Sequence, residues 1–529
     1  MQLIEQFVFT KQKTFLSNLI IRIGILPFVI LGLFFFISCS NNEVKRPNIL
    51  FIMADDHTSQ AWGIYGGILS PYVKNSGIKR LASEGVTLDN MFCTNAICVP
   101  SRAAILTGKM SHKNGVYTLG DALSPDTLNI AKLLSASGYS TAIIGKWHLK
   151  EEPTGFDYYK VLPGQGRYFN PVFKTAENWE YGGKGGVEQE GFSTDIIGDE
   201  SIEWINNQDP DTPFFLMTHF KATHEPFHYP KRHENLLEDV ELPEPVSLYE
   251  PYPTEEGRTF KGQLINNLTK RWLQYQADPE KFWTDYPGMP FDISGLDSLG
   301  IRKKSYQKFV KDFIRCGAAI DDNIEKILSA LEQSGKLDNT LIIYTSDQGY
   351  FLGEHGFFDK RMMFEESSRM PFVVRYPKDL PQGTRNQNLL MNIDISALLL
   401  DYANVSVPSD VQGTSFRNLL QKENALGRKY VYYRYWEHSQ DRPAHFGIRS
   451  DRYKLIYYYG QPLGMKSAQQ ESTPPSWEFY DLKLDPKELK NQFKNPEYKA
   501  IIEEMHHDLI QQKEFYDDTL VDVPEIKTE

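Results

Sequence analysis

Four largely apolar runs, spaced over the first two thirds of the chain, constrain its fold more than any other feature. The runs lie at residues 48–53, 139–144, 214–218 and 341–345. Apolar side chains at consecutive positions indicate strands that are buried on both faces, as in a parallel sheet. Helical periodicity appears between the runs, most clearly at residues 305–334. The sequence therefore predicts an α/β domain with a large sheet flanked by helices.

The pattern changes near residue 425. Alternating aromatic runs follow at residues 430–436, 446–449, 453–459 and 477–481, and a segment with helical character closes the chain at 495–515. Alternation with a period of two is typical of short antiparallel strands. We predict a large domain over residues 47–424, with an irregular insertion at about 227–301, and a smaller C-terminal α+β domain over residues 425–529.

The charge and the cysteine content exclude several classes of protein. The chain has a formal net charge of −12, which argues against a nucleic-acid partner. An anionic ligand would therefore need a local cationic pocket. The four cysteines, Cys39, Cys93, Cys98 and Cys316, do not form a disulfide framework, and the sequence leaves open whether Cys93 and Cys316 pair.

The first 38 residues read as a targeting segment. Lys11, Lys13 and Arg22 precede an apolar stretch that ends at Cys39. This ending resembles the lipobox of bacterial lipoproteins, although Phe36 stands where leucine is usual. We expect a lipoprotein signal peptide at 1–38, lipidation of Cys39 and a short tether at 39–46, with an uncleaved anchor or an ordinary signal peptide as the alternative. The protein would then be exported, as an outer-membrane lipoprotein or a periplasmic or cell-surface protein of a bacterium.

Polar side chains follow the predicted strands at the points where each strand ends. They are Asp55, Asp56, Lys146, His148, His224, Asp347 and Gln348. Because the carboxyl ends of parallel strands meet at one edge of a sheet, we expect these side chains to lie together. Carboxylate and amide oxygens suit a hard divalent cation, and the absence of clustered histidines or cysteines argues against zinc. The lysines and histidines around such a cation would form a pocket for a tetrahedral anionic ester.

One further stretch, Cys-Val-Pro-Ser-Arg-Ala-Ala-Ile-Leu-Thr-Gly from Cys98 to Gly108, carries a single thiol. Pro100 predicts a turn at the thiol, and Ser101 could cap a short helix over 103–106 that ends at Gly108. A thiol just before a helix N-terminus, with Arg102 nearby, lies in an electropositive environment that suits an anion.

This stretch resembles the signature of the type I, formylglycine-dependent sulfatases of the alkaline-phosphatase-like superfamily. The block 352–361 and the closing segment 479–488 resemble the bacterial polysaccharide sulfatases in particular. The resemblance extends from residue 48 to the C-terminus. It implies a large mixed, mostly parallel sheet, and a maturation enzyme that oxidises Cys98 to formylglycine (3-oxoalanine).

The resemblance also implies a metal site and a nucleophile. Asp55, Asp56, Asp347 and Gln348 would hold one Ca²⁺ ion, with the modified Cys98 completing the shell. Gln348 departs from the commoner asparagine. The hydrated aldehyde would attack sulfur with one hydroxyl and expel the alcohol, and its second hydroxyl would then eject sulfate.

Further roles follow from the same resemblance. Arg102 and Lys146 would stabilise the aldehyde hydrate, and His148 would be the base for the elimination. His224 and Lys360 would bind the sulfate and protonate the leaving oxygen, and the sequence leaves open which of them is the acid.

The implied substrates are sulfated glycans, either algal polymers such as ulvan, carrageenan or fucoidan, or glycosaminoglycans. His355, Arg361 and His445 are candidates for sugar contacts, with ordinary packing as the alternative. Two other functions compete. One is hydrolysis of phosphonate or phosphate esters by the same superfamily, and the other is an inactive, surface-tethered glycan-binding protein.

Overall fold

The computed structural model describes residues 45–249, 261–279, 288–422, 425 and 427–526. The predicted signal peptide, the lipidation site Cys39 and the predicted domain boundary at 424 lie outside the described residues. Within those ranges, no helix is both long and apolar enough to cross a membrane. The elements below all belong to the unit Arg46–Glu529.

Strands and helices alternate along most of the chain. The strands are β1 (Asn48–Asp55), β2 (Val86–Phe92), β3 (Ser140–Lys146), β4 (Tyr158–Leu162), β5 (Val172–Phe173), β6 (Val187–Glu188), β7 (Phe214–Thr223), β8 (Thr340–Ser346), β9 (Arg369–Arg375), β10 (Thr384–Asn386), β11 (Leu390–Met391), β12 (Val431–Tyr435), β13 (His445–Arg449), β14 (Tyr453–Tyr458) and β15 (Ser476–Asp481). The helices are α1 (Ser76–Glu84), α2 (Cys98–Thr107), α3 (Ser111–Asn114), α4 (Ile130–Ala136), α5 (Ser193–Asn206), α6 (Asn266–Ala277), α7 (Ser298–Gln333), α8 (Glu365–Ser368), α9 (Asp394–Tyr402), α10 (Arg417–Gln421) and α11 (Lys499–Phe515). The four apolar runs form β1, β3, β7 and β8.

The large sheet has the order β10-β2-β9-β8-β1-β7-β3-β4, with β11 also paired to β2. Strand β9 is antiparallel to its neighbours β8 and β2, and the other pairings in this sheet are parallel. The prediction of a large mixed, mostly parallel sheet is confirmed. The carboxyl ends of β1, β3, β7 and β8 consequently lie at the same edge.

The central strand β1 is buried on both faces, as its unbroken apolar sequence predicts. Leu50 and Ile52 pack toward the layer that contains α1, α5 and α7. Ile49 and Phe51 point to the opposite face, toward α2, α4 and α9. All four side chains are fully buried, and burial of each stabilises the fold by about 1.5–3 kcal/mol.

The C-terminal region forms a separate antiparallel sheet of order β12-β13-β14-β15. Helix α11 packs on it through Ile502, Met505 and Leu509. This arrangement confirms the smaller α+β domain.

Helix α2 begins earlier than its sequence predicts. It starts at Cys98, so the thiol is part of the first turn rather than of a preceding turn. Pro100 is tolerated there because first-turn N–H groups have no intrahelical acceptor. Ser101 does not cap this helix, whereas Gly108 ends it with φ of 67°, as expected.

Other boundaries also differ from the predictions. Helix α7 begins at Ser298, ahead of the predicted 305, because the Asp297 carboxylate accepts a hydrogen bond from the Gly300 N–H at 2.8 Å. The predicted insertion contains helix α6. Strands β2 and β4 were not predicted, since neither is an unbroken apolar run.

Candidate active site

The predicted metal ligands converge at the carboxyl edge of the large sheet. Asp55 ends β1, Asp56 follows it, and Asp347 and Gln348 follow β8. Donor atoms of Asp55, Cys98 and Asp347 all lie within 4.8 Å of one another. All these side chains are buried, which concentrates several negative charges in a small volume that water does not reach.

Two lysines neutralise part of this charge. Lys146, at the end of β3, forms an ion pair with Asp55. The ammonium nitrogen of Lys360 lies 2.7 Å from each carboxylate oxygen of Asp56. Both lysines are almost completely buried, and a buried ammonium is stable only beside such a partner.

A residue of helix α2, Arg102, contacts carboxylates from both β1 and the loop after β8. Arg102 Nε donates to Asp347 Oδ2 at 3.0 Å, and its Nη2 lies 3.6 Å from Asp55 Oδ1. The Ser101 hydroxyl donates to the Asp347 carbonyl oxygen and accepts from Asn392 Nδ2 at 3.0 Å. Ser101 therefore attaches the Cys98 helix to the metal-ligand loop.

The carboxyl groups of the cluster differ in acidity. Burial raises the pKa of Asp56 to about 6 despite the charge of Lys360. Burial and the Asp55 carboxylate raise the pKa of Asp347 to about 7. Burial would raise the pKa of Asp55 too, but Lys146 and other cations hold it well below its ordinary value.

The two predicted catalytic histidines are held neutral. Burial, followed by the charge of Lys146, lowers the pKa of His148 well below its usual range. Burial also lowers the pKa of His224. The Nδ1 atom of His224 lies 2.8 Å from the Glu225 carbonyl oxygen and so bears the hydrogen, which leaves Nε2 unprotonated, 3.8 Å from Asp56 Oδ2.

Lys360 stays in its charged form, whereas the Cys98 thiol stays in its neutral form. Burial would lower the pKa of Lys360, but Asp56 and the neighbouring thiol raise it well above its ordinary value, so the ammonium is retained. Burial raises the pKa of Cys98 to about 12. The unmodified thiol would therefore remain protonated and would be a poor nucleophile.

A cavity of about 180 Å³ opens onto Cys98. Its lining residues are Ile97, Cys98, Leu119, Gln165, His224, Glu225, Arg271, Asp359, Lys360, Arg361 and Arg442. Arginines and a lysine dominate the polar part of this wall. Such a wall provides the local cationic pocket that an anionic substrate needs in a chain of net negative charge.

Sequence reasoning missed several polar residues of the cavity, among them Gln165, Arg271 and Arg442. Gln165, after β4, accepts a hydrogen bond from the lysine at the end of β3 at 2.5 Å. Arg271, on α6 of the insertion, pairs with Glu225. Arg442, beyond β12, lies 3.5 Å from Asp359. No local pattern marks these residues, because packing of the insertion and of the C-terminal domain brings them to the cavity.

The three candidates for sugar contacts are placed differently. Arg361 lines the cavity, and its Nη1 donates to Tyr435 Oη and to Glu437 Oε1, each at 3.2 Å. His355 is 3% exposed among phenylalanine rings, and His445 is fully buried among tyrosine rings. Neither histidine is among the described residues that line the cavity.

Cys93, Cys316 and His219 are not among the described residues that line the cavity. Cys93 and Cys316 are buried free thiols and do not pair with each other. His219 is buried, with Nδ1 3.1 Å from the Lys146 carbonyl oxygen.

The donor set fits a hard divalent cation. Asp55 Oδ1 and Gln348 Oε1 are buried and, within the described part of the chain, have no hydrogen-bond partner. Oxygens left in this state are costly unless a cation binds them. The residues present therefore suit a hard cation such as Ca²⁺, and the Gln348 amide nitrogen donates a hydrogen bond to Asp56 Oδ1.

Comparison with known proteins decides the family. A family model described as "Sulfatase" matches residues 47–405, and one described as "N-sulphoglucosamine sulphohydrolase, C-terminal" matches residues 353–515. The chain belongs to the sulfatase family. It is a sulfuric ester hydrolase of the bacterial polysaccharide sulfatase type.

Individual sulfatases and structures extend the match to both domains. An N-acetylglucosamine-6-O-sulfatase of Bacteroides thetaiotaomicron is 38% identical over 499 residues, which cover 87% of this chain and 86% of the relative. An arylsulfatase of Clostridium perfringens is 26% identical over 505 residues, 89% of this chain and 95% of the relative. A structure solved in complex with its substrate D-glucosamine-2-N,6-O-disulfate superposes with a TM-score of 0.77 at 36% identity, over 90% of this chain and 99% of the other.

Proposed function

We propose that this sulfatase removes 6-O-sulfate groups from glucosamine residues of a sulfated glycan, with formylglycine at position 98 and one Ca²⁺ ion. The substrate is inferred from the two relatives that share more than a third of their residues with this chain. One is named for N-acetylglucosamine-6-O-sulfate, and the other was solved with a glucosamine disulfate. Both matches include the C-terminal domain, which contributes Arg442 to the cavity.

The observation that supports the proposal best is the cationic cavity around Cys98. The nucleophile position lies on its wall, beside Lys360 and His224, and its volume of about 180 Å³ suits one sulfated sugar rather than a polymer threading through. Guanidinium groups of Arg361 and Arg442 also line this cavity, and they would donate hydrogen bonds to hydroxyls of that sugar.

Bound Ca²⁺ would offset the charge of Asp55, Asp56 and Asp347 and polarise a sulfate oxygen, and formylglycine would supply the nucleophilic hydroxyl. This chain's own residues then hold the anion and move protons. Lys146, with Gln165 as its second partner, fixes positive charge beside position 98. The guanidinium of Arg102 holds a second positive charge in a fixed position, because it donates hydrogen bonds to the Asp347 carboxylate and to the Lys146 carbonyl oxygen.

Two side chains transfer protons, and a third holds the sulfate. His148, which is neutral, has a buried Nδ1 without a hydrogen-bond partner in the described residues and can accept a proton. Lys360 retains its proton and lies on the cavity wall, so we assign to it protonation of the leaving oxygen. His224, whose Nε2 is unprotonated in this structure, would donate a hydrogen bond to a sulfate oxygen after gaining a proton there.

Peptide mass spectrometry tests the nucleophile. Trypsin releases residues 81–102 as one peptide that contains both Cys93 and Cys98. We expect alkylation at Cys93, which serves as the internal control, and an aldehyde at position 98 in protein from the native host. An alkylated thiol at both positions in active protein would overturn the formylglycine assignment.

Sulfate release tests the substrate. We expect hydrolysis of N-acetylglucosamine-6-sulfate to exceed that of sulfated ulvan oligosaccharides and of an aryl phosphate diester. Cys98→Ala should abolish the activity, whereas Cys316→Ala, a matched buried cysteine away from the cavity, should retain it. Faster hydrolysis of the algal oligosaccharide would contradict the glucosamine assignment, and faster hydrolysis of the diester would favour the phosphoesterase alternative.

We also propose that the enzyme is exported and anchored to a bacterial outer membrane by lipid on Cys39. The support is the order of basic, apolar and cysteine residues in the first 39 positions. Metabolic labelling with a fatty acid should modify the wild-type protein and not Cys39→Ser, and the variant should leave the membrane fraction. An unlabelled wild-type protein would contradict lipidation.

A further inference from the structure

A second cavity, of about 370 Å³, lies beside the active-site cavity, and of its lining residues only His148 has a role in the reaction described above. It is lined by Trp147, His148, Lys150, Leu162, Pro163, Gly164, Lys174, Trp179, Tyr181, Gly182 and Gly183. Most of its wall is aromatic, aliphatic or glycine backbone, with two lysines and one histidine as the charged or titratable groups.

The two cavities share a wall. Residues 146–148 and 163–165 pass between them, because His148 and Gly164 face the second cavity while Gln165 faces the first. Lys146 and Gln165 are joined side chain to side chain across this partition. The two cavities therefore adjoin each other along this partition.

A hairpin forms the outer side of the second cavity. Strands β5 and β6 pair, and Trp179 makes an isolated bridge with Gly185 near the tip. Trp179 packs edge-on against Tyr159, with ring centroids 6.0 Å apart, and Lys174 lies 4.8 Å from its ring centroid. The same ammonium donates to the carbonyl oxygens of Glu180 and Gly182, so Trp179 is held in a fixed orientation.

Tyr181 and Lys150 are the groups of this cavity that are available to a ligand. Tyr181 is 63% exposed, although a large aromatic side chain is normally covered. The ammonium of Lys150 makes no hydrogen bond or ion pair with any residue that the structure describes. An aromatic wall beside an unpaired cation is complementary to a sugar that has apolar ring faces and an acidic substituent.

We propose that this second cavity binds the neighbouring sugar of the glycan, one that bears a carboxylate or sulfate group, while the sulfated sugar occupies the Cys98 cavity. Trp179 and Tyr181 contact the ring, and Lys150 pairs with the acidic group. This assignment rests on the proposed glycan sulfatase function. It adds a binding site for a second sugar and predicts a preference for oligosaccharides.

The test compares a monosaccharide with an oligosaccharide. Substrates are N-acetylglucosamine-6-sulfate and a tetrasaccharide that carries this residue at its end, followed by a uronate. We expect the wild type to have a kcat/KM roughly tenfold higher for the tetrasaccharide, a gain on the scale of one stacking contact and one ion pair. Tyr181→Ala and Lys150→Ala should each lose most of this preference through KM, with monosaccharide turnover unchanged.

Matched controls separate the cavity from the general surface. Phe515→Ala removes an exposed aromatic ring from α11, and Lys326→Ala removes an exposed lysine from α7. Both should retain the wild-type preference. Equal loss on both substrates in the Tyr181 and Lys150 variants, or no loss on either, would overturn the second-sugar site.

Direct binding distinguishes failure of this site from failure of the proposed function. The probe is the same tetrasaccharide without its 6-O-sulfate, titrated into the intact enzyme while tryptophan fluorescence is recorded. Binding that weakens at least fivefold in Tyr181→Ala supports the site even if neither sulfated substrate is hydrolysed. Absence of binding to the wild type, with sulfate still released from the monosaccharide, overturns the site and leaves the sulfatase assignment intact.

Discussion

At the scale of single residues, His224 and Lys360 face the same carboxylate but hold protons differently. Burial keeps the His224 ring neutral, whereas Asp56 at 2.7 Å keeps Lys360 charged. A general acid must hold its proton when the leaving group departs. Lys360 meets that requirement in this geometry, and His224 would first have to acquire a proton.

Leaving-group dependence tests this division. Lys360→Ala should lower kcat by about 10²–10⁴-fold on the sugar sulfate, whose alkoxide needs protonation. On 4-nitrophenyl sulfate the loss should be much smaller, since nitrophenolate leaves without a proton. His224→Ala is the comparison variant and should lose similar activity on both substrates. The reverse pattern would make His224 the acid.

A buried histidine outside the active site makes stability depend on pH. Burial, with Lys221 and Lys308 nearby, lowers the pKa of His228 well below its usual value. Below about pH 6.5 the unfolded chain binds a proton at this position and the folded chain does not. The free energy of unfolding therefore falls by about 1.4 kcal/mol for each unit by which the pH is lowered.

The comparison is between wild type and His228→Asn, by thermal unfolding from pH 7.5 to 5.5. The variant should be less stable at pH 7.5, and its deficit should shrink as the pH falls because asparagine does not titrate. His507→Asn, at an exposed position of α11, should parallel the wild type. A deficit that is constant across this range would show that His228 does not titrate in this way.

At the scale of elements, a buried ion cluster connects the two domains. Lys454 on β14 lies 3.0 Å from Glu365 at the start of α8 and 2.6 Å from Glu488 after β15. Burial raises the pKa of Glu488 to about 8, while Arg449 and Lys454 overcome burial and hold the pKa of Glu365 well below its ordinary value. The cation on β14 is therefore the shared partner of carboxyl groups from both domains.

Removing this cation should weaken the connection. Lys454→Met leaves the two acidic groups buried beside each other, and we expect a loss of about 3–5 kcal/mol in the free energy of unfolding. Lys429→Met removes a lysine whose side chain is 63% exposed and pairs with acidic groups of α11, and it should cost less than about 1 kcal/mol. Thermal unfolding of both variants measures the difference. Equal losses in the free energy of unfolding would contradict a special role for Lys454.

The elements that position the site were predictable to different degrees. Asp55 and Asp347 follow unbroken apolar strands, so the sequence places them at one edge of a sheet without knowledge of the packing. The start of α2 was not predictable from Pro100, because first-turn proline is compatible with both a turn and a helix. Arg271 and Arg442 reach the cavity through the insertion and the C-terminal domain, and only tertiary structure brings them there.

At the scale of the whole molecule, the charge of the carboxylate cluster should couple metal binding to stability. The proposed Ca²⁺ ion would bind the folded cluster and not the unfolded chain, so it would stabilise the protein in proportion to ln(1 + [Ca²⁺]/Kd), by about 2.7 kcal/mol at a hundredfold excess over Kd. Chelation should lower the unfolding temperature, and Ca²⁺ should restore it more fully than Mg²⁺ at the same concentration.

Asp347→Asn is the matched variant for this measurement, since it removes one charge and keeps the shape of the side chain. Its unfolding temperature should respond less to added Ca²⁺ than that of the wild type. An unfolding temperature of the wild type that is indifferent to chelator and to both ions would contradict a metal at this position.

The burial of Cys98 bears on whether this residue could be modified before or after the chain folds. The residue is 1% exposed, at the start of a helix that is buried along its entire length. An enzyme that modifies this thiol cannot bring its own active site around the residue once the sheet and helices have closed over it. If position 98 carries the proposed formylglycine, its formation would therefore have to precede folding or interrupt it, and a chain that folded first would be well structured and inactive.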